Sequence, residues 1–220
     1  MELRELKKQL IEKELGITVD FGRILAVLDF GNVNFWFESD RQDADGQALA
    51  DNEKLVIDLA ALKEFASLFA TDVRFYYGHD PQNTGSLGFI TAAKHIFGKA
   101  RVFTKPIQKI KHYLAPDELS GNKRVITVDH RGQFVRIHKC NFDVEISVDS
   151  IRLEKNYDTL ALFSSDADFM SLARHLRRIG KQIILVKGGY ITSDLRKQVD
   201  VLVNAQDVKR HITKKQRPGR

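Results

Sequence analysis

Short apolar runs alternate with longer mixed segments along the chain. "RILAVLDF" (residues 23–30) is apolar without a break, the pattern of a strand buried on both faces, and it runs out at Asp29. "DVRFYYG", a run near 101–105, "TLALFS" (159–164), "KQIILVK" (181–187) and the final "VDVLVNA" read the same way. Between them fall helical patterns. These are 2–15 with Gly16 as its C-cap, "EKLVIDLAALKEFASLFA" with the stripe Leu55, Leu59, Leu62, Ala66 and Phe69, residues 87–97, residues 169–179 ending at Gly180, and a short helix near Ser193–Gln198. Repeated strand–helix units predict a three-layer α/β/α fold around a mainly parallel sheet.

Two stretches depart from that rhythm. Residues 106–138 contain "KRVITVDHRGQFVRIHK", two β-type runs flanking a turn at Arg131 and Gly132, which predicts an inserted β-hairpin. In "CNFDVEISVDSIRLEKN", Phe142, Val144, Ile146 and Val148 alternate like a strand, while Val144, Val148 and Ile151 have helical spacing. Periodicity leaves both open. The resulting division is an N-terminal helix (1–17), one α/β domain (18–207) and a basic tail (208–220).

Charge is unevenly placed. The last thirteen residues hold Lys209, Arg210, Lys214, Lys215, Arg217 and Arg220 without an acid, which equals the whole net charge of +6, so residues 1–207 are balanced. Acids gather from Glu38 to Asp58, whereas Pro81–Pro116 contains none and carries Lys94, Lys99, Arg101, Lys105, Lys109 and Lys111. The pattern suits a polyanionic partner, and equally a solvated surface. The N-terminus lacks a secretory apolar core and no run is long enough for a membrane span, so a cytoplasmic location is expected. With Cys140 as the single cysteine, an internal disulfide and a multi-cysteine zinc site are excluded.

Ligands of parallel α/β sheets bind outside the carboxyl ends of the strands. Asp29 ends the first strand, Asp166 and Asp168 follow "TLALFS", and Asp143 opens the element leading into it. Converging carboxylates are hard oxygen donors suited to Mg2+ or Mn2+. Taken singly, each has a structural use: Asp168 as the cap of helix 169–179, Asp29 as a turn residue. Other chemistries fail on particular residues. Asp29 is followed by Phe30 and Gly31, not the second aspartate of a haloacid-dehalogenase phosphatase, "DFG" has no kinase motifs beside it, and neither GxGxxG nor a P-loop occurs.

"LDFGNVN", "CNFDVEISVDS", "DTLALFSSDADFMSLARHLRRIGKQIILV" and "SDLRKQVDVLVNA" together resemble the NYN domain, in its LabA-like form, within the PIN-like nuclease superfamily. The resemblance implies a PIN-like fold and metal-dependent RNA cleavage. It implies Asp29, Asp143, Asp166 and Asp168 as metal-binding and catalytic, with Asn32, Ser164 and Asp149 in support. If the ambiguous segment is helical, Asp149 is turned about 240° from Asp143. This chain departs from the family's pattern with Cys140 in place of a lysine and Ser165 in place of a glycine, and Asp80 is the candidate for a further acid. Lys99, Arg101, Lys105, Lys109, Lys111, Lys214 and Lys215 are the expected RNA-backbone contacts. Phe103 and Tyr113 are candidates to stack bases, while Trp36 reads as packing. Two other readings stay open: a non-catalytic RNA-binding or regulatory protein on the same scaffold, and a nuclease acting on DNA.

Overall fold

The computed structural model describes residues 3–115, 118 and 125–217. In chain order the strands are β1 (Ile24–Asp29), β2 (Lys54–Ile57), β3 (Asp72–His79), β4 (Val102–Pro106), β5 (Gln108–Tyr113), β6 (Thr127–Asp129), β7 (Gly132–Lys139), β8 (Thr159–Phe163), β9 (Gln182–Lys187), β10 (Val201–Asn204) and β11 (Thr213–Gln216). The helices are α1 (Leu3–Leu15), α2 (Phe30–Val33), α3 (Leu59–Ala66), α4 (Thr84–Phe97), α5 (Asp143–Arg152), α6 (Met170–Arg178), α7 (Ser193–Arg196) and α8 (Ala205–Ile212).

Six strands form one parallel sheet in the order β10-β9-β8-β1-β3-β4. Every residue of β1 and β8 is buried, because helices cover both faces; that is why these strands read as unbroken apolar runs. Successive side chains go to opposite cores. Ala26, Leu28 and Phe163 join α3, α4 and α8 through Leu62, Phe65, Phe97 and Val208. Leu25, Val27, Leu160 and Leu162 join α5, α6 and α7 through Ile146, Leu172, Leu176 and Leu195. The chain builds the sheet outward from β1 in one direction through β3 and β4, and in the other through β8, β9 and β10. The reversal of direction falls between β1 and β8, where a crevice for ligand is expected.

The ambiguous segment is a helix. Ile146 is fully buried in α5 while Val144 is 72% exposed, a split that a half-buried strand with both residues on one face would not give. The stripe from Leu55 to Phe69 is corrected: Leu55 lies in β2, paired antiparallel with β11, and the helix starts only at Leu59. Asp58 makes that boundary, its Oδ1 accepting from Ala60 N at 2.9 Å and Ala61 N at 3.1 Å. The predicted hairpin is present as β6–β7, with Gly132 at φ +124° beyond the turn, and β5 pairs with β7 to make a three-stranded antiparallel sheet. Within that insertion, 116, 117 and 119–124 lie outside the described residues. The segment read as a basic tail is folded through Gln216 as α8 and β11, and residues 218–220 lie outside the described ones.

Candidate metal centre

The alternation of the two central strands aims the site. Asp29 continues the series Leu25, Val27, and Ser164 continues Leu160, Leu162, so both point toward the face covered by α5 and α6. Ser164 Oγ donates to Asp29 Oδ2 at 2.9 Å and accepts from Asp166 N at 3.2 Å, joining the ends of β1 and β8. Asp29 is 9% exposed. Burial pushes its carboxyl up to about 6, against hydrogen bonds from Ser164 and the Asn32 backbone, and the charges of Asp143 and Asp166 push it further.

Beyond β8 the backbone turns at once. Ala167–Phe169 form a short 3-10 turn pinned by the fully buried Phe169. Asp166, not Asp168, is its cap: Asp166 Oδ1 accepts from Asp168 N at 2.9 Å. Asp168 is exposed, freed of the capping role. Asp143 arrives from α5 as its first residue, its N–H donating to Asn141 Oδ1 at 2.8 Å. Its carboxyl is raised by burial; Asn141 opposes this, the charges of Asp166 and Asp168 add to it, and Lys105 lowers it.

One carboxylate oxygen from each of Asp143, Asp166 and Asp168 lies within 4.8 Å of the other two. Octahedral coordination at about 2.1 Å sets ligand oxygens roughly 3–4 Å apart, so a small side-chain closure fits these three to Mg2+ or Mn2+. Among the described residues, none of the three is in an ion pair. Asp29 is outside that triad and borders it electrostatically. Histidine and cysteine contribute nothing to the cluster, which matches a hard-cation site.

The remaining candidates sit elsewhere or act indirectly. Asp149 accepts from Tyr76 Oη at 2.7 Å and lies 3.7 Å from Arg74, consistent with its rotation away from Asp143. Asp80 is ion-paired to Lys109 at 2.9 Å. Asn32 Oδ1 accepts from both Trp36 Nε1 (2.9 Å) and Ser165 N (3.1 Å), which ties the loop after β1 to the loop after β8. Ser165 takes a non-positive φ, so the departure from glycine costs no strain there, and its hydroxyl bonds Gly188 beyond β9. That bridge was not foreseen; the one signal for it was the unusual serine itself. Cys140 fits against Gly78, where an added Cβ would come 2.5 Å from its sulfur, and burial raises its thiol.

Most of the expected RNA contacts hold acids of this chain. Arg101 pairs with Asp72, Lys105 with Glu145 at 2.5 Å, Lys109 with Asp80, Lys111 with Asp129 at 2.6 Å, Lys214 with Asp58 at 3.0 Å and Lys215 with Asp43 at 2.6 Å. Lys99 is exposed and in no ion pair among the described residues. Phe103 stacks on Tyr76 with ring centroids 4.7 Å apart.

Comparison with known proteins gives the family and the fold. The NYN domain profile matches residues 45–206, a span that includes Asp143, Asp166 and Asp168 but begins after Asp29 and Asn32. Over 81 residues the chain is 33% identical to the low amplitude and bright protein LabA of Synechococcus elongatus, covering 36% of this chain and 44% of that protein. A protein of unknown function from Vibrio parahaemolyticus, 18% identical, has the same fold with a TM-score of 0.54 over 86% of this chain and 96% of its own. Among the described residues no helix is long and apolar enough to cross a membrane. The carboxylates gathered at the carboxyl edge of the sheet belong to a member of the NYN domain family, a family of PIN-like nucleases.

Proposed function

We propose that this chain is a metal-dependent ribonuclease that hydrolyses RNA phosphodiester bonds. The observation that carries the reading is the triad of Asp143, Asp166 and Asp168, three carboxylates within 4.8 Å of one another and in no ion pair among the described residues. They would hold Mg2+ or Mn2+. When bound, such an ion supplies an activated water and offsets negative charge on the phosphodiester oxygens. Asp29 borders the triad and would complete the ligand set, its carboxyl raised without metal by burial and by the charges of Asp143 and Asp166. Ser164 and the Asn32 backbone hold that carboxylate in one orientation.

Substrate approach to so acidic a site needs cations. Lys105, whose charge reaches Asp143, lies at the edge of the centre; Lys109 and Lys111 follow on β5, and Lys99 and Arg101 stand in the turn before β4. Phosphates exchanging for the surface acids of these pairs would carry the strand to the aspartates. Lys214 and Lys215 lie on β11, paired to the acids around residues 43–58. The test is cleavage of single-stranded, structured and transfer RNAs with Mg2+ and Mn2+, by wild type and Asp166→Asn. Cleavage by wild type alone supports the reading. A wild-type protein that cuts none of these RNAs with either metal, while still binding them, would make it a binding protein on a nuclease scaffold.

A further inference from the structure

Aromatic rings in this protein are almost all packed. Phe35, Tyr113 and Tyr190 are the exposed aromatic side chains among the described residues, and Tyr113 already lies against Phe134 with centroids 5.6 Å apart and hydrogen-bonds Asp129. Phe35 (59% exposed) and Tyr190 (83%) are different. Both stand at the carboxyl edge of the parallel sheet, Phe35 in the turn after β1 and α2, Tyr190 in the loop after β9. Those two strands flank β8, whose end delivers Asp166 and Asp168.

The two loops are locked to each other by groups other than these rings. Trp36 packs against Gly188 so closely that a Cβ at 188 would lie 2.5 Å from its Cδ1. The Trp36 indole is fixed by Asn32, the same Asn32 oxygen holds Ser165 N, and the Ser165 hydroxyl both donates to the Gly188 carbonyl and accepts from its N–H. Glycine at 188 therefore has a steric reason, and positive φ at Gly189 (+62°) turns the chain outward at Tyr190. Lys187 folds its ammonium onto the Gly189 carbonyl, placing a cation beside Tyr190. The result is a braced pair of loops that leaves two aromatic faces to solvent, with a positive charge next to one of them. Exposed rings forgo burial energy. An unpaired nucleobase, flat and apolar with a phosphate attached, matches that chemistry.

We propose that Phe35 and Tyr190 form a base-stacking platform for an unpaired nucleotide of the RNA strand, with Lys187 contacting its phosphate. The platform's place next to the scissile bond rests on the ribonuclease reading; its ability to bind does not. Duplex RNA, whose base faces are already stacked, is not its ligand.

The test is fluorescence-anisotropy binding of a labelled mixed-sequence single-stranded RNA and its duplex by the full chain, in EDTA and in Mg2+ with the Asp166→Asn background. Phe35→Ala and Tyr190→Ala should each weaken single-strand binding roughly tenfold, as loss of a base stack does, and leave duplex binding unchanged. Phe35→Tyr and Tyr190→Phe should bind as the parent does. Circular dichroism and urea midpoints confirm that the alanine variants are folded. Alanine variants with parental affinity for the single strand, or equal losses on strand and duplex, overturn the platform. If wild type cuts no RNA yet the aromatic dependence appears, the platform stands and the ribonuclease reading falls; if wild type cuts RNA and the alanine variants cut and bind normally, only the platform falls.

Discussion

Two acidic regions of this molecule are built in opposite ways. Around Asp40–Asp58 every cation of the folded C-terminus finds an acid: Lys209 lies 2.7 Å from Asp40, Arg210 3.7 Å from Asp45, Lys214 3.0 Å from Asp58, Lys215 2.6 Å from Asp43 and Arg217 3.0 Å from Glu53. At the carboxyl edge of the sheet, Asp143, Asp166 and Asp168 crowd together with no ion-pair partner among the described residues. The first region is a clasp that ties the chain's end to the loop after α2. In the second, repulsion is left standing, and Asp29 shows it, raised by burial and by its acidic neighbours. Density of acids is therefore a poor guide to a metal site. What separates the two is whether the fold returns cations to them.

Breaking the open region should have the largest effect. Asp166→Asn or Asp143→Asn is expected to lower RNA cleavage in Mn2+ by more than about a hundredfold, beyond what loss of an outer partner costs. Circular dichroism should be unchanged. Cleavage near the wild-type rate in both variants would remove these residues from the site.

Breaking the clasp should cost stability and spare activity. Lys209 is 7% exposed, and its ammonium bonds the Gln42 carbonyl at 2.6 Å besides pairing with Asp40. Lys209→Ala leaves Asp40 unpaired in a partly buried position and is expected to cost about 3 kcal/mol in urea denaturation. A loss below about 1 kcal/mol would mean the pair behaves as an exposed one.

The raised carboxyl sharpens the contrast through pH. Folded Asp29 keeps its proton up to about 6 against an ordinary 3.8, so the folded state binds the proton more tightly and metal-free stability falls as pH rises through that window. In EDTA, Asp29→Asn is expected to be more stable than wild type at pH 7 by about 2–3 kcal/mol, with the gap closing near pH 4. Mn2+ should work the other way, stabilising wild type by about 2.7 kcal/mol at a hundredfold excess over its Kd and stabilising Asp166→Asn far less. Thermal melts at fixed pH with and without metal measure both. Smallest of all, Arg210→Ala removes the exposed arm of the clasp, 3.7 Å from Asp45, and its melting point and cleavage rate should match wild type.

Much of the frame was legible from local pattern. The unbroken apolar runs of β1 and β8 announced a sheet covered on both faces, and the three strand-end aspartates were readable as position alone. The misplacement of Leu55 in a helix has a plain cause: β2 exists because β11, far along the chain, pairs with it, and a period of three or four residues carries no record of that partner. The capping role likewise went to Asp166 because the helical turn starts at Ala167, two residues earlier than the predicted helix 169–179. The bridge from Ser165 to Gly188, and the packing of Trp36 on that glycine, involve loops after different strands, and a serine where the family has glycine is the one trace of them in the sequence.

The sequence by itself determined the α/β alternation, the carboxylates at the strand ends and the unequal spread of charge, because each is a matter of residue type and spacing along one element. Only the tertiary structure decided which charges meet. Ion pairing depends on separations of a few ångströms between groups up to about 170 positions apart, as Asp40 and Lys209 are, and the topology alone sets those separations. It brought the basic C-terminus to the acidic loop and left the strand-end aspartates to one another.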